Sequence, residues 1–176
     1  MADLSLPRKR RLTPVLLLAS LWLTGCGFHL RGVVDLPSEV RSVYIEAGDR
    51  YSPFYRELVA TVKRNELGPS DDSANADVVI RVLSDEIGRR TLTVSARNVP
   101  REYQIYYIVN YSVFARGEPI IDRHRLILTR DYTYDEMEVL GKANEEDVLT
   151  DALAKDLVGL LVQTISASYQ QETRAL

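Results

Sequence analysis

One cysteine, two histidines and one tryptophan in 176 residues leave little material for several kinds of chemistry. The cysteine, Cys26, lies near the N-terminus, so the rest of the chain can form neither a disulfide framework nor a thiolate metal site. A zinc centre needs three or four ligands at set spacing, and His29 and His124 do not supply them. No glycine-flanked serine of the GxSxG kind occurs, neither histidine has an evident catalytic partner, and no glycine-rich loop is available to cradle a phosphate. The longest apolar stretch, Leu12 to Leu23, contains Pro14 and spans 12 residues, well short of the roughly 20 that a membrane-crossing helix needs. These scarcities predict a protein that is not an enzyme and holds no cofactor.

What the N-terminus does contain is an address. Arg8, Lys9, Arg10 and Arg11 form a basic region, Leu12 to Leu23 an apolar one, and Leu23, Thr24, Gly25 and Cys26 match a lipobox at every position. Cysteine suits that position because its thiolate is nucleophilic enough to be alkylated by a diacylglyceryl group. The expectation is a lipoprotein signal at residues 1–25 that is removed, leaving Cys26 as the lipid-bearing first residue. Gly27, where an aspartate is absent, resembles the outer-membrane sorting class. Residues 26–36 read as a tether, 37–169 as one α+β domain and 170–176 as a tail.

Without the signal the chain has 18 basic and 24 acidic side chains, a net charge of −6 that argues against general nucleic-acid binding. Charge is unevenly spread, at −3 over residues 26–80, +4 over 81–130 and −7 over 131–176. The middle island is arginine throughout, the residue suited to bidentate contacts with phosphate or carboxylate. For most of its nine arginines, a solvated strand face with acidic neighbours is sufficient explanation.

Val40, Val43 and Ile45 predict a first strand ending at Gly48. Ser52 as N-cap, Pro53 in the first turn and the spacing of Phe54, Leu58, Val59 and Val62 predict a helix to Asn65. Gly68 to Ser73 has turn chemistry and reads as a loop. Four strands are expected next: Asp77 to Ile87, Thr91 to Arg97 with Leu92, Val94 and Ala96 buried, Glu102 to Arg116, and Ile120 to Tyr134. The last two form a hairpin turning at Gly117, Glu118 and Pro119. Tyr103, Ile105, Tyr107, Val109, Tyr111 and Val113 share its core face. A final helix carries the stripe Val148, Leu149, Ala152, Leu153, Leu157, Leu160, Leu161 and Ile165, with Asn144 as N-cap and Glu145, Glu146 and Asp147 in its first turn. The order is βαββββα: an α+β fold in which a mixed or antiparallel sheet carries two helices on one face.

The carboxylates Asp135, Glu136, Glu138, Glu145, Glu146 and Asp147 are explained by solvation and capping. Six tyrosines, at 103, 106, 107, 111, 132 and 134, fall on the hairpin. Their rings bridge apolar and wet surroundings, so they suit either half-buried strand positions or a face that holds an amphipathic ligand or a protein partner.

Three motifs resemble one family, the outer-membrane lipopolysaccharide-assembly lipoproteins called LptE or RlpB. They are the opening Cys26, Gly27, Phe28, His29, Leu30, Arg31; the EYQ of Glu102, Tyr103, Gln104; and Lys142 with Asn144, Glu145 and Asp147 in the loop before the last helix. The resemblance implies a non-enzymatic partner of the LptD β-barrel, acting as plug and assembly factor and binding lipopolysaccharide. It also implies lipopolysaccharide contacts at Arg97, followed by Asn98, and at Lys142. The arginine match needs a one-residue gap, which leaves Arg101 as a competitor. Other readings of the same residues are a lipoprotein subunit of a different envelope lipid transporter, told apart by its partner, and a lipid-anchored hydrolase, which the missing nucleophile and base oppose.

Overall fold

The computed structural model describes residues 40–70, 72–133 and 139–175, with side chains of the final helix described from 145 to 171. The signal, Cys26, the tether, the Cys26–Arg31 motif and the acids Asp135, Glu136 and Glu138 lie outside the described residues.

Strand β1 (Ser42–Ala47) leads into helix α1 (Pro53–Arg64). The helix starts where its capping chemistry places it: Ser52 Oγ accepts the Tyr55 N–H at 3.1 Å, and Pro53 occupies the first turn, where its missing N–H costs nothing. Phe54, Leu58 and Val62 form its buried stripe, and Asn65 closes it by donating to the Thr61 carbonyl. The two-residue strand β2 (Gly68–Pro69) then pairs in parallel with β1, inside the stretch expected to be only a loop. Its proline is tolerated because β2 is an edge.

Strand β3 (Val78–Val94) is continuous through the expected break at residues 88–90. Gly88 pairs with Tyr106, whose ring lies where a glycine Cβ would stand, only 2.2 Å from that position, so the neighbour's ring covers a residue that has no side chain of its own. A register shift between Val82 and Ser84 makes Leu83 an extra residue. Val78, Ile80 and Val82 are therefore buried, while after the shift Asp85, Ile87 and Arg89 lie opposite the core positions Val109, Tyr107 and Ile105. The last part of the strand departs from expectation: Leu92 and Val94 are exposed, and residues 95–99 form a turn.

Strands β4 (Pro100–Ala115) and β5 (Glu118–Thr133) form the hairpin. Its turn is Arg116 and Gly117, both with positive φ (51° and 88°), as a two-residue hairpin loop requires; the expected turn residues Glu118 and Pro119 already belong to β5. The sheet order is β2-β1-β3-β4-β5, parallel around β1 and antiparallel from β3 onward. Ile105, Tyr107, Val109, Tyr111 and Val113 are buried as expected, with Tyr103 half-buried against them.

Helix α2 (Val139–Ala175) closes that face together with α1. It begins five residues ahead of Asn144, so Asn144 is an interior helical residue and not the N-cap, and Lys142 stands on the helix instead of on a loop before it. Leu153, Leu157, Leu161 and Ile165 are fully buried and joined by Ala154, Val158 and Val162. Val148 and Leu160 leave the expected stripe for the surface, because the buried side of the helix includes 154, 158 and 162 in their place. The α+β architecture and the element order βαββββα are as the sequence predicts, although β2 was unforeseen and two expected strands are one.

Candidate functional site

The residues singled out for ligand binding fall at one end of the molecule, where β3 turns into β4 and α2 begins. The turn is held by its own main chain. Ser95 N–H donates to the Val99 carbonyl at 2.7 Å, Asn98 N–H to the Ser95 carbonyl at 2.9 Å, and Val99 N–H to Ser95 Oγ at 3.2 Å. Asn98 has φ 61°, a left-handed conformation that asparagine tolerates better than most residues, so its part in the Arg97–Asn98 pair is to shape the turn. Arg97 and Arg101 are exposed, and neither has a carboxylate partner among the described residues. By strand alternation Arg101 shares the face of Tyr103 and Ile105, the face that α2 covers.

The start of α2 is fixed to this end by a cluster that sequence reasoning missed. Arg89 Nη1 lies 3.1 Å from Glu146 Oε2, the Tyr132 hydroxyl donates to the same oxygen at 3.2 Å, and the Arg89 guanidinium sits 5.2 Å from the centre of the Tyr103 ring. Tyr103 and Tyr132 stack with ring centres 5.6 Å apart. Hydrogen bonding to Tyr132 and the charge of Glu146 hold the Arg89 proton more firmly than usual, and burial pushes the Tyr132 phenol up. Lys142 lies one helical turn before Glu146, at the same end as the β3–β4 turn. The structure thus brings the backbones of Arg97, Arg101 and Lys142 to one end, while the Lys142 side chain is outside the described residues.

The EYQ residues have definite jobs here. Glu102 accepts from Thr93 Oγ1 at 3.0 Å, Tyr103 stacks on Tyr132, and Gln104 accepts from Arg90 Nε at 2.9 Å while donating to Asp131 Oδ1 at 2.6 Å. The motif therefore ties three strands together in register. Its signal in the sequence was limited, because each partner is distant along the chain.

Chemically this end offers exposed guanidinium donors and exposed aliphatic side chains. Leu92 and Val94 are 42% and 54% exposed, on the strand that leads into Arg97. Guanidinium groups bind phosphate or carboxylate oxygens bidentately, and a neighbouring apolar strip accepts hydrocarbon. His124 packs edge-on against Tyr111, with ring centres 5.6 Å apart, which accounts for it as a packing residue. Among the described residues no cluster of histidine, cysteine or carboxylate side chains is arranged to hold a metal, and no helix is long and apolar enough to cross a membrane.

The family model for LptE, described as lipopolysaccharide-assembly, matches residues 40–165, the span that contains the whole sheet and the packed part of α2. The chain belongs to the LptE family. A relative named LPS-assembly lipoprotein LptE, from Pectobacterium atrosepticum, is 28% identical over 171 residues, covering 95% of this chain and 92% of its own length. Two solved structures share the fold. The solution structure of an uncharacterized lipoprotein B from Nitrosomonas europaea has a TM-score of 0.68 at 24% identity, covering 82% of this chain and 93% of that one. The crystal structure of rare lipoprotein B from Shewanella oneidensis has a TM-score of 0.66 at 20% identity, covering 75% and 98%. In this LptE-family chain the β3–β4 turn carries exposed Arg97 and Arg101, which have no carboxylate partner among the described residues, and the exposed Leu92 and Val94 lead into it along β3.

Proposed function

We propose that this chain works without catalysis in lipopolysaccharide assembly at the outer membrane, anchored by lipid on Cys26 after loss of residues 1–25. Residues 26–36 act as a tether, and the α+β body partners an LptD-type β-barrel as its plug and assembly factor. Arg97 and Lys142 donate charge-assisted hydrogen bonds to lipopolysaccharide phosphates, with Arg101 as the competing donor. The observation that carries this reading is the β3–β4 turn of an LptE-family fold, where exposed Arg97 has no carboxylate partner among the described residues and the exposed Leu92 and Val94 lead into it along β3. A phosphate-bearing amphipathic molecule matches both features at once.

The partnership is tested by purifying the tagged full chain from its native envelope in a mild detergent that preserves membrane complexes. Recovery of an outer-membrane β-barrel in stoichiometric amount supports the role. Recovery of an inner-membrane or periplasmic transport component in its place, or of the lipoprotein alone, overturns it.

A further inference from the structure

A cleft of 320 Å³ lies between α1 and the free edge of β1, at the opposite edge of the sheet from β5. Its construction follows from an incomplete strand pairing. β3 pairs with β1 from Val43 to Ala47, but β2 covers only Ser42 and Val43. Gly68 N–H donates to the Arg41 carbonyl at 2.9 Å and Ser70 N–H to the Val43 carbonyl at 3.0 Å, so odd-numbered residues of this strand turn their main-chain groups toward the β2 side. By the same alternation Ile45 and Ala47 direct their N–H and C=O groups to that side, beyond the point where the β2 ladder ends.

The other wall is helical. Tyr55, Val59 and Lys63, spaced four residues apart on α1, line the cleft together with Arg50 and Ser70. Arg50 and Lys63 are exposed, and neither has a carboxylate partner among the described residues. An open strand edge running beside a helix, with apolar side chains between them, is the arrangement that accepts an added strand through main-chain bonds. Edge groups with no main-chain partner among the described residues supply the affinity, and the flanking cations select the charge.

We propose that this cleft takes an acidic peptide segment in extended form, which adds to β1 through the main-chain groups of Ile45 and Ala47 and sets carboxylates against Arg50 and Lys63. A lipid phosphate could meet the two cations, but it would leave the Ile45 and Ala47 carbonyls without donors. A peptide satisfies both sets of groups. The inference stands apart from lipopolysaccharide binding, which concerns the far end of β3 and the start of α2.

The test follows residue-level amide hydrogen exchange of the full chain in mild detergent, with a capped hexapeptide alternating glutamate with valine and phenylalanine as probe. In the free chain the Ile45 and Ala47 amides should exchange at least about tenfold faster than those of Tyr44 and Glu46, which point toward β3. Saturating peptide should slow Ile45 and Ala47 by about tenfold or more. Arg50→Glu combined with Lys63→Glu should weaken peptide binding by about tenfold or more. Ile45→Pro removes one outward N–H and no β3 bond, and should weaken binding with the circular dichroism spectrum unchanged. The proposal is overturned if a lysine-containing peptide of the same pattern, or the acidic peptide N-methylated at alternate residues, binds equally well. It is also overturned if phosphatidylglycerol vesicles reproduce the protection, or if Ile45 and Ala47 are already protected in the free chain, whether by its own segment or by a second copy.

Discussion

Arg89 on β3 and Glu146 on α2 meet at 3.1 Å across 57 residues of sequence, and their contact fixes where the last helix meets the sheet. Both side chains are more than a third exposed, so solvent screens the pair and its coupling should be no more than about 1 kcal/mol in a double-mutant cycle. Its effect is local. Arg89→Ala should leave the unfolding midpoint nearly unchanged while speeding amide exchange in the first turns of α2. Uniform acceleration along the whole helix would contradict a pinning role.

Gly88 and Tyr106 form the second long-range dependence. A valine at position 88 would place Cβ 2.2 Å from the Tyr106 ring, forcing the ring off the strand. Gly88→Val should therefore destabilise the protein by about 1–3 kcal/mol when Tyr106 is present. In a Tyr106→Ala background the same change should be neutral or stabilising, since valine suits a strand better than glycine. Equal effects in the two backgrounds, measured by urea unfolding, would show that the ring does not rest on the glycine.

Tyr107 is fully buried and its hydroxyl accepts the Phe54 N–H at 2.9 Å, joining the sheet core to the first turn of α1. Burial pushes this phenol far above its ordinary range. Tyr107→Phe leaves the Phe54 donor without its acceptor and should cost about 1–3 kcal/mol in chemical denaturation. A cost below about 0.5 kcal/mol would mean that water replaces the hydroxyl.

Two aspartates should pull stability in opposite directions with pH. Arg41 N–H, Ser42 Oγ and Ser42 N–H all donate to Asp77, at 2.9 to 3.0 Å, and hold its pKa below the ordinary 3.8. Its contribution to stability is complete well above pH 3.8 and fades as the pH falls through the lowered folded value. Asp85 is shifted upward, first by burial, beside Ser52 and Tyr107 and near Asp49. Its ionised form therefore costs stability above the raised folded value, and that cost disappears as the pH falls to below 3.8. Asp77→Asn should be destabilising at pH 7 and converge with the parent in acid. Asp85→Asn should be stabilising at pH 7, with the gain lost in acid. Differences that stay constant across the pH range would refute both assignments.

What could be read from the sequence follows how local its causes are. Helix α1 was legible to the residue because Ser52, Pro53 and Asn65 act on main-chain groups within four positions. The core face of β4 was legible because alternation needs no partner to be visible. The continuity of β3 was not, since Gly88 is a strand residue only through the Tyr106 ring, and Leu83 reverses the faces through a shift against β4. The start of α2 was hidden for a related reason: Asn144 and the acids after it look like a cap, yet Glu146 is committed to Arg89 and Tyr132. Of the candidate site, Arg97 was expected at the end of a strand and stands instead in the turn at residues 95–99, and the nearness of α2 to it depends on that same Glu146 contact.

The cations proposed to hold lipopolysaccharide phosphates are Arg97 in the β3–β4 turn and Lys142 on α2, and titration of the full chain with purified lipopolysaccharide decides whether they do. Arg97→Glu combined with Lys142→Glu should weaken binding by about tenfold or more, roughly 1.4 kcal/mol, with the unfolding midpoint unchanged, while Arg125→Glu on β5 should leave binding as it was. Unchanged affinity in the Arg97 and Lys142 double variant would contradict the claim.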